Sequence, residues 1–280
     1  MKNLPCAFCP TLVPIKPGTF EAGDEGEHLW PSWVNRVFRA AGMAPKRYKF
    51  STMVGDRVTV RRKQAISYKQ PVVCQKCNNG WMSQLERHAA RILQGAVCRS
   101  TPLLLSDRDR QQLALWAVKN AVVLDHTHLL AKTRQTVFYS PQERFAIRER
   151  SEVPRHVLIR LFSSVAESLT FVRATYSGAG PHTAEDDLKH REAYSATFTY
   201  GHIGFQITKF KFRKRMKGSA SPMIVPPPGW NEHASPLWPA LSGAAVWPPK
   251  RDLDFKKMWE FAHQWVDQTP EIPRPANSRR

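Results

Sequence analysis

Two cysteine pairs in the first third of the chain have the spacing of metal-binding turns. They are Cys6-Ala-Phe-Cys9 and Cys74-Gln-Lys-Cys77. Each CxxC turn points two thiolates at one position, so two such turns can close a tetrahedral zinc site. Four thiolates leave no open coordination position, and we therefore predict a structural Zn²⁺ at these residues.

Residues of a different chemistry lie between and beside the cysteine pairs. Glu27 and His28 lie between them, Pro31 comes three residues after the histidine, and Asn78 directly follows the second pair. With the four cysteines, this order resembles that of the HNH nucleases of the ββα-metal type, whose scaffold is a treble clef with a four-cysteine zinc site. The resemblance covers about the first 90 residues.

The resemblance implies a role for each of these residues. His28 is expected to be the general base that activates a water, which suits an imidazole that titrates near neutral pH. Glu27 and Asn78 are expected to hold one divalent ion, and their oxygen atoms suit Mg²⁺ or another hard cation. Glu86, on the same helix face as Asn78, is a candidate further ligand or else one half of an ordinary ion pair.

Three positions leave alternatives open. The central Asn of the family, which orients the catalytic His, falls on Lys69 here, followed by Gln70. A lysine ammonium cannot accept a hydrogen bond, whereas the amide of Gln70 can. Met82 occupies the position of a second metal-binding side chain. A structural role for His28, packed against a neighbouring tryptophan, is the alternative to its role as a base.

The charge of the chain points to an anionic partner. Its 280 residues include 42 Lys and Arg against 23 Asp and Glu, which gives a formal net charge of +19. A surplus of this size repels itself unless an anion is bound, and nucleic acid is the commonest such partner. We expect double-stranded DNA, although RNA or an anionic membrane surface would satisfy the same field.

Two basic segments are candidates for that contact. From Arg36 to Lys69, ten Lys or Arg stand against one acid, Asp56, and residues 209–217 carry six basic residues and no acid. The alternatives are a solvated charged face for the first segment and a charged edge strand for the second. The candidate nucleic-acid-binding residues are Arg47, Lys49, Arg57, Arg61, Arg62, Lys63, Lys69, Lys211, Arg213, Lys214 and Arg215.

Membrane and secretory signals are absent from the sequence pattern. No window of about 18 apolar residues exists, and the first cysteine pair comes too early to leave room for the apolar core of a signal peptide. We therefore expect a cytoplasmic protein with no membrane partner. In a reducing compartment thiols stay free, which favours metal binding over disulfides. The fifth cysteine, Cys98, is expected to pack as a small apolar residue.

The gap between the cysteine pairs is predicted to hold a helix and a hairpin. Apolar residues recur at spacings of three and four from Trp30 to Ala41, and Gly42 ends this helix. Residues 47–69 alternate polar and apolar about Val54-Gly55-Asp56, which predicts a β-hairpin.

Three further helices are predicted at residues 81–93, 106–124 and 141–150. Ser106 is expected to cap the second helix, with an acidic residue three positions on, and Pro141 to open the third. The second helix is apolar on almost every side, so we expect it to be buried over most of its circumference.

Strand patterns begin at residue 155. Residues 155–164, 168–178 and 193–212 are rich in β-branched and aromatic residues, and a turn or bulge is predicted at Tyr200-Gly201-His202. Residues 218–250 are rich in Pro and Gly and are expected to wrap the surface without forming an element.

The chain is therefore predicted to have an α+β fold in two regions and a tail. Residues 1–98 form the ββα-metal, treble-clef module with the basic hairpin as an insertion at 35–70. Residues 99–267 form a helical and mostly antiparallel β region that closes with an amphipathic helix and could bind a protein partner or a second copy. Residues 268–280 are expected to be a disordered tail.

Three functional hypotheses follow. The first is a metal-dependent HNH-type endonuclease that hydrolyses DNA. The second is a nucleic-acid-binding zinc protein that has kept the scaffold without cleavage, which Lys69 favours. The third is a basic interaction protein whose zinc module is architectural, which predicts a specific protein partner and no DNA affinity at physiological salt.

Overall fold

A five-stranded antiparallel sheet and a long buried helix form the framework to which the cysteine turns are attached. The structure is a computed structural model. It describes residues 2–15, 27–28, 31–43, 48–54, 57–63, 69–98, 101–130, 137–165, 172–177, 191–212, 232–239, 245–254, 256–258 and 260–262.

The described helices lie mainly in the first 150 residues, and most of the longer strands follow them. The helices are α1 (Ser32–Ala40), α2 (Gln75–Cys77), α3 (Ser83–Val97), α4 (Asp107–Leu130) and α5 (Pro141–Arg150), with a π-helical segment at Asn78–Met82 between α2 and α3. The strands are β1 (Lys2–Pro5), β2 (Leu12–Ile15), β3 (Glu27–His28), β4 (Tyr48–Val54), β5 (Arg57–Lys63), β6 (Lys69–Gln70), β7 (Leu103–Leu105), β8 (Val157–Ser163), β9 (Val172–Ser177), β10 (Arg191–Tyr200), β11 (Ile203–Phe212), β12 (Ala234–Trp238) and β13 (Ala245–Trp247). Residues 256–258 and 260–262 are also helical.

The large sheet has the strand order β12-β8-β11-β10-β9, and every neighbouring pair is antiparallel. At its centre β10 and β11 form a hairpin in which Tyr200 is opposite Ile203. Gly201 in the turn has a φ of 61°, in the left-handed region that favours glycine. A Cβ there would lie 2.2 Å from the carbonyl oxygen of Val97, and His202 N–H donates to the same oxygen. The hairpin tip therefore lies against the end of α3.

Helix α4 covers one face of this sheet. It begins as predicted, because Ser106 Oγ accepts a hydrogen bond from the backbone N–H of Asp109 at 3.2 Å. Its middle is buried on almost every side, since residues 113–126 are all buried. The ring of Trp116 lies 5.1 Å from that of Tyr200 and 5.3 Å from that of Phe205.

The carboxyl-terminal helical residues cover the opposite face. The ring of Phe261 lies 5.3 Å from that of Phe162 on β8. Gln206 on β11 donates from Nε2 to the Phe261 carbonyl at 2.6 Å. Because both faces are covered, the polar residues of β10 and β11 that alternate with aromatic ones are also buried.

One hydrophobic core connects the cysteine turns to the sheet. Its buried members run from Cys6 in the first turn through Trp116 on α4 to Trp247 on β13. The two regions distinguished in the sequence therefore share a single apolar interior.

Most predicted elements are confirmed in the described residues. The chain is α+β with antiparallel sheets, β4 and β5 form the predicted hairpin with Val54 opposite Arg57, and Ser140 caps α5 in a reciprocal capping box with Glu143. Helix α1 ends before Gly42, which has a φ of 67°.

Two predictions about strands are wrong. The strand that carries Lys209 and Lys211 is not an edge strand, because β11 pairs with β8 on one side and β10 on the other. The Pro- and Gly-rich stretch at 218–250 does contain elements, since β12 pairs with β8 and β13 pairs with β7. The predicted tail at 268–280 lies outside the described residues.

Candidate metal centre

The two cysteine turns bring four sulfur atoms together. The Sγ atoms of Cys6, Cys9, Cys74 and Cys77 all lie within 4.8 Å of one another. The Sγ of Cys9 lies 3.5 Å from that of Cys74 and 3.7 Å from that of Cys77. A tetrahedral zinc with Zn–S bonds of about 2.3 Å requires S–S separations of about 3.8 Å. The donor set and its spacing therefore fit a zinc ion, and all four cysteines are buried.

Short backbone contacts hold the two turns together. The first turn closes the β1–β2 hairpin, where Cys6 N–H donates to the Thr11 carbonyl at 2.8 Å. Ala7 N–H, within that turn, donates to the Val72 carbonyl at 2.8 Å, two residues before the second pair begins. Cys74 N–H donates to Cys6 Sγ at 3.3 Å. The geometry of one turn is thus fixed by the backbone of the other.

The thiols of Cys6, Cys74 and Cys77 differ in the direction in which their pKa values are shifted. Hydrogen bonding from the Cys77 thiol, with smaller contributions from the backbone N–H groups of Cys74 and Phe8, lowers the pKa of Cys6 to about 5 against the opposing effect of burial. The same pairing raises the pKa of Cys77, and burial raises that of Cys74. Because metal ligation requires thiolates, metal binding here must release protons.

The strand that carries Glu27 and His28 runs beside the approach to the second cysteine pair. Strand β3 is antiparallel to β6, with Glu27 opposite Gln70 and His28 opposite Lys69. The position that departs from the HNH pattern, Lys69, is the one directly across from His28. The side chains of β3 and β6 lie outside the described part of the structure.

Asn78 lies at the exit from the second cysteine turn. It is half-buried, and its N–H donates to the Cys74 carbonyl at 3.0 Å. Helical structure begins six residues earlier than predicted, at Gln75, and continues through Asn78–Met82, where Gly80 departs from helical geometry with φ −87° and ψ −115°. The segment is therefore a kink at Gly80 between two helical stretches.

Glu86 is engaged by three donors from two other helices. Its Oε2 accepts from Trp33 Nε1 of α1 at 3.2 Å. Its Oε1 accepts from Trp116 Nε1 at 2.8 Å and from Lys119 Nζ at 2.6 Å, both on α4. Lys119 is fully buried. The structure thus gives Glu86 the ion-pair role, and we do not include it among the proposed ligands of a catalytic ion.

The predicted nucleic-acid-binding residues fall into three groups: one has a described side chain, six have a described backbone, and four lie outside the described residues. Lys211 is half-buried, and its Nζ lies 4.3 Å from the centroid of the Phe138 ring. The backbone, without side chains, is described for Lys49, Arg57, Arg61, Arg62, Lys63 and Lys69. Outside the described residues lie Arg47, Arg213, Lys214 and Arg215.

Two residues at the centre were missed by sequence reasoning. Arg144 on α5 donates from Nη1 to the Ala7 carbonyl, inside the first cysteine turn, at 2.6 Å. The Nε2 of His126 lies 3.2 Å from the same Nη1. His126 is buried on α4, and its place in an almost entirely apolar helix gave no sign of this contact.

No protein-family model, no curated protein and no solved structure matches this chain. Among the described helices, none combines the length and apolar character needed to cross a bilayer.

Proposed function

We propose that this protein is a metal-dependent endonuclease of the HNH type that hydrolyses DNA phosphodiester bonds on a treble-clef scaffold. The observation that supports the proposal is the path of the backbone around the second cysteine turn. Strand β6 pairs with the strand that bears Glu27 and His28, and the same segment reaches Asn78 eight residues after Gln70. Both halves of the proposed site are thus attached to one short segment, which two of the clustered cysteines anchor.

In this proposal each residue has one task. His28 takes a proton from the attacking water, and Glu27 and Asn78 bind a divalent ion such as Mg²⁺. When bound, that ion supplies positive charge for the leaving oxygen. The cysteine-bound zinc takes no part in bond breaking and holds the strand end and helix start in register.

The helices that follow the proposed site residues in the chain carry exposed basic side chains, which suit an anionic substrate. Arg36 and Arg39 are exposed on α1, Lys76 is exposed within the second cysteine turn, and Arg87 is exposed on α3. The one acid in α1, α2, α3 and the π segment is Glu86, which is paired with Lys119. These helices therefore present a net positive field to phosphate groups.

The test is nicking of supercoiled plasmid in Mg²⁺, with single-stranded RNA as a second substrate. His28→Ala is expected to lower the rate by about 10² to 10⁴-fold, since a general base contributes that much. His88→Ala, at a half-buried histidine of α3, is the matched control and should leave the rate unchanged. Asn78→Ala and Asn79→Ala form a second matched pair, in which Asn78 alone should matter. Equal rates for wild type and His28→Ala would refute the proposal.

A binding protein without cleavage is the second candidate, and the register of β3 and β6 favours it. Lys69 lies opposite His28, where the family has an Asn that orients the base. Lys69→Asn separates the two candidates, because it should raise the nicking rate if the site is catalytic. If wild type and Lys69→Asn both bind DNA in a salt-sensitive manner and neither cuts, the binding function replaces the enzymatic one.

A further inference from the structure

Arg144 joins helix α5 to the first cysteine turn across 137 positions of the chain. Its Nη1 donates to the carbonyl of Ala7 at 2.6 Å. Ala7 lies between Cys6 and Cys9 and is fully buried. A guanidinium is thereby placed against the backbone that directs two of the four thiolates.

The orientation of Arg144 is set by His126. The Nδ1 of His126 lies 2.8 Å from the Val122 carbonyl, one turn earlier on α4. A carbonyl only accepts, so Nδ1 carries the proton and Nε2 presents a lone pair. That lone pair accepts from Arg144 Nη1 at 3.2 Å. Because Nη1 bears two hydrogens, it can donate to His126 and Ala7 together.

The metal centre needs a cation at this place. A divalent ion with four thiolates carries more negative than positive charge, and the four cysteines are at most 7% exposed. A buried net charge is costly unless a counter-charge or hydrogen bonds compensate it. Groups just outside the ligands commonly perform this task and fix the ligand geometry.

We propose that Arg144 is a positioning residue of the metal centre, which compensates its negative charge and holds the first cysteine turn, while His126 orients Arg144. The chain of contacts runs from the Val122 carbonyl through His126 and Arg144 to the Ala7 carbonyl. It rests on the cysteine cluster and does not depend on the proposed nuclease reaction, so metal binding tests it separately.

The experiment measures Zn²⁺ affinity by chelator competition and Co²⁺ binding by the absorption of the cobalt–thiolate centre. Arg144→Met is expected to weaken affinity by about 10- to 100-fold, as is typical when such outer groups are lost. Arg148→Met removes the same charge one turn along α5 and should bind metal like wild type. Arg144→Lys, which keeps the charge without the planar fork, should fall between them. Wild-type affinity in Arg144→Met, or equal losses in both Met variants, overturns the proposal.

A second pair of variants decides the matter should Arg144→Met fail to fold. His126→Gln places an acceptor near the position of Nε2, whereas His126→Asn keeps the contact with Val122 and loses the acceptor for Arg144. Metal should bind more tightly to the Gln variant than to the Asn variant, with a cobalt spectrum closer to wild type. Equal affinities for the two variants, or the reverse order, would overturn the role of the relay.

Discussion

The cysteine region at residues 2–98 and the helix–sheet region at 101–262 reach a buried interior in different ways. Around the candidate metal centre the strands β1, β2, β3 and β6 have two to four residues, and four buried cysteine sulfurs lie close together. In the sheet, strands of up to ten residues are held by packed aromatic rings, such as Trp116 against Phe205. A metal bound to these sulfurs would supply folding free energy that elements of this length cannot obtain from apolar burial alone.

Polar contacts join the regions in addition to the apolar core that they share. Lys119 on α4 pairs with Glu86 on α3, and Arg144 on α5 binds the Ala7 carbonyl. These contacts fix the relative position of the two regions more specifically than apolar packing can. A buried charged group that loses its partner destabilises the fold. The difference between the regions can be tested by the following variants.

Loss of one cysteine ligand should have the largest effect, and it should be confined to the first region. Cys77→Ser is expected to lose bound zinc and about 10 kcal/mol or more of the folding free energy that the metal supplies there. Metal analysis should show no zinc, and limited proteolysis should cut within residues 2–98 first. Cys98→Ser, at the cysteine outside the cluster, is the control and should retain the metal. Zinc retained by Cys77→Ser would contradict the four-ligand site.

Truncation of an aromatic residue in the sheet should have the opposite effect: it should destabilise the helix–sheet region and leave the metal content unchanged. Phe205→Ala removes a fully buried ring from the aromatic cluster and should cost about 3–5 kcal/mol in denaturant unfolding. Zinc content should stay at the wild-type level under native conditions. Val246→Ala, at a residue 52% exposed on β13, should change stability by less than about 0.5 kcal/mol. Similar losses for both variants would show that the ring is not part of a packed interior.

In the described residues two ion pairs join α3 to α4, and the more deeply buried pair should contribute more to stability. Lys119→Met leaves the carboxylate of Glu86 without its cation, and we expect a loss of about 3 kcal/mol, the lower end for a broken buried pair. The matched control is Arg91–Asp109, which joins the same two helices at 3.3 Å with Arg91 67% exposed. Arg91→Met should cost about 0–1 kcal/mol. A double-mutant cycle with Glu86→Gln measures the coupling, and a cycle near zero would contradict a stabilising pair.

Acid should lower the free energy of unfolding by protonating His126, whose partner Arg144 connects the two regions. Burial lowers the pKa of His126 to about 4, below its ordinary value of 6.5. Between these values the unfolded chain binds more protons, so stability is complete above pH 6.5 and falls as the pH falls. The loss from this group between pH 8 and pH 5 should be about 2 kcal/mol. The measurement is the difference in unfolding free energy between wild type and His126→Asn at each pH, and a difference that stays constant would contradict the buried neutral imidazole.

Local chemistry made several elements predictable. The caps at Ser106 and Ser140, the hairpin turn at Tyr200 and the cysteine cluster each depend on residues a few positions apart or on a spacing with one geometric solution. The antiparallel arrangement followed from strand patterns joined by short turns. Such signals do not require knowledge of distant partners.

The rest depended on partners that lie far away in sequence. Lys209 belonged to a basic run, yet it is buried because it pairs with Glu143, 66 residues earlier. The partners of Glu86, Trp33 and Lys119, come from two other helices and could not be recognised in the sequence. Glu86 was therefore considered as a possible metal ligand. Arg144 carried no signal at all, since the carbonyl that it binds belongs to a residue 137 positions away. Strands β7 and β13, three residues each, pair only because the fold brings them together.

The contact between Gly201 and the carbonyl of Val97 restricts how the molecule can be engineered. A hairpin tip is ordinarily the first choice for grafting a peptide tag or attaching a fluorophore, because turns usually face solvent. Here the tip is wedged against the last turn of α3, so any graft would push the sheet away from the cysteine-bearing half. A reporter should instead be attached at the exposed Leu104 on β7, just before the start of α4.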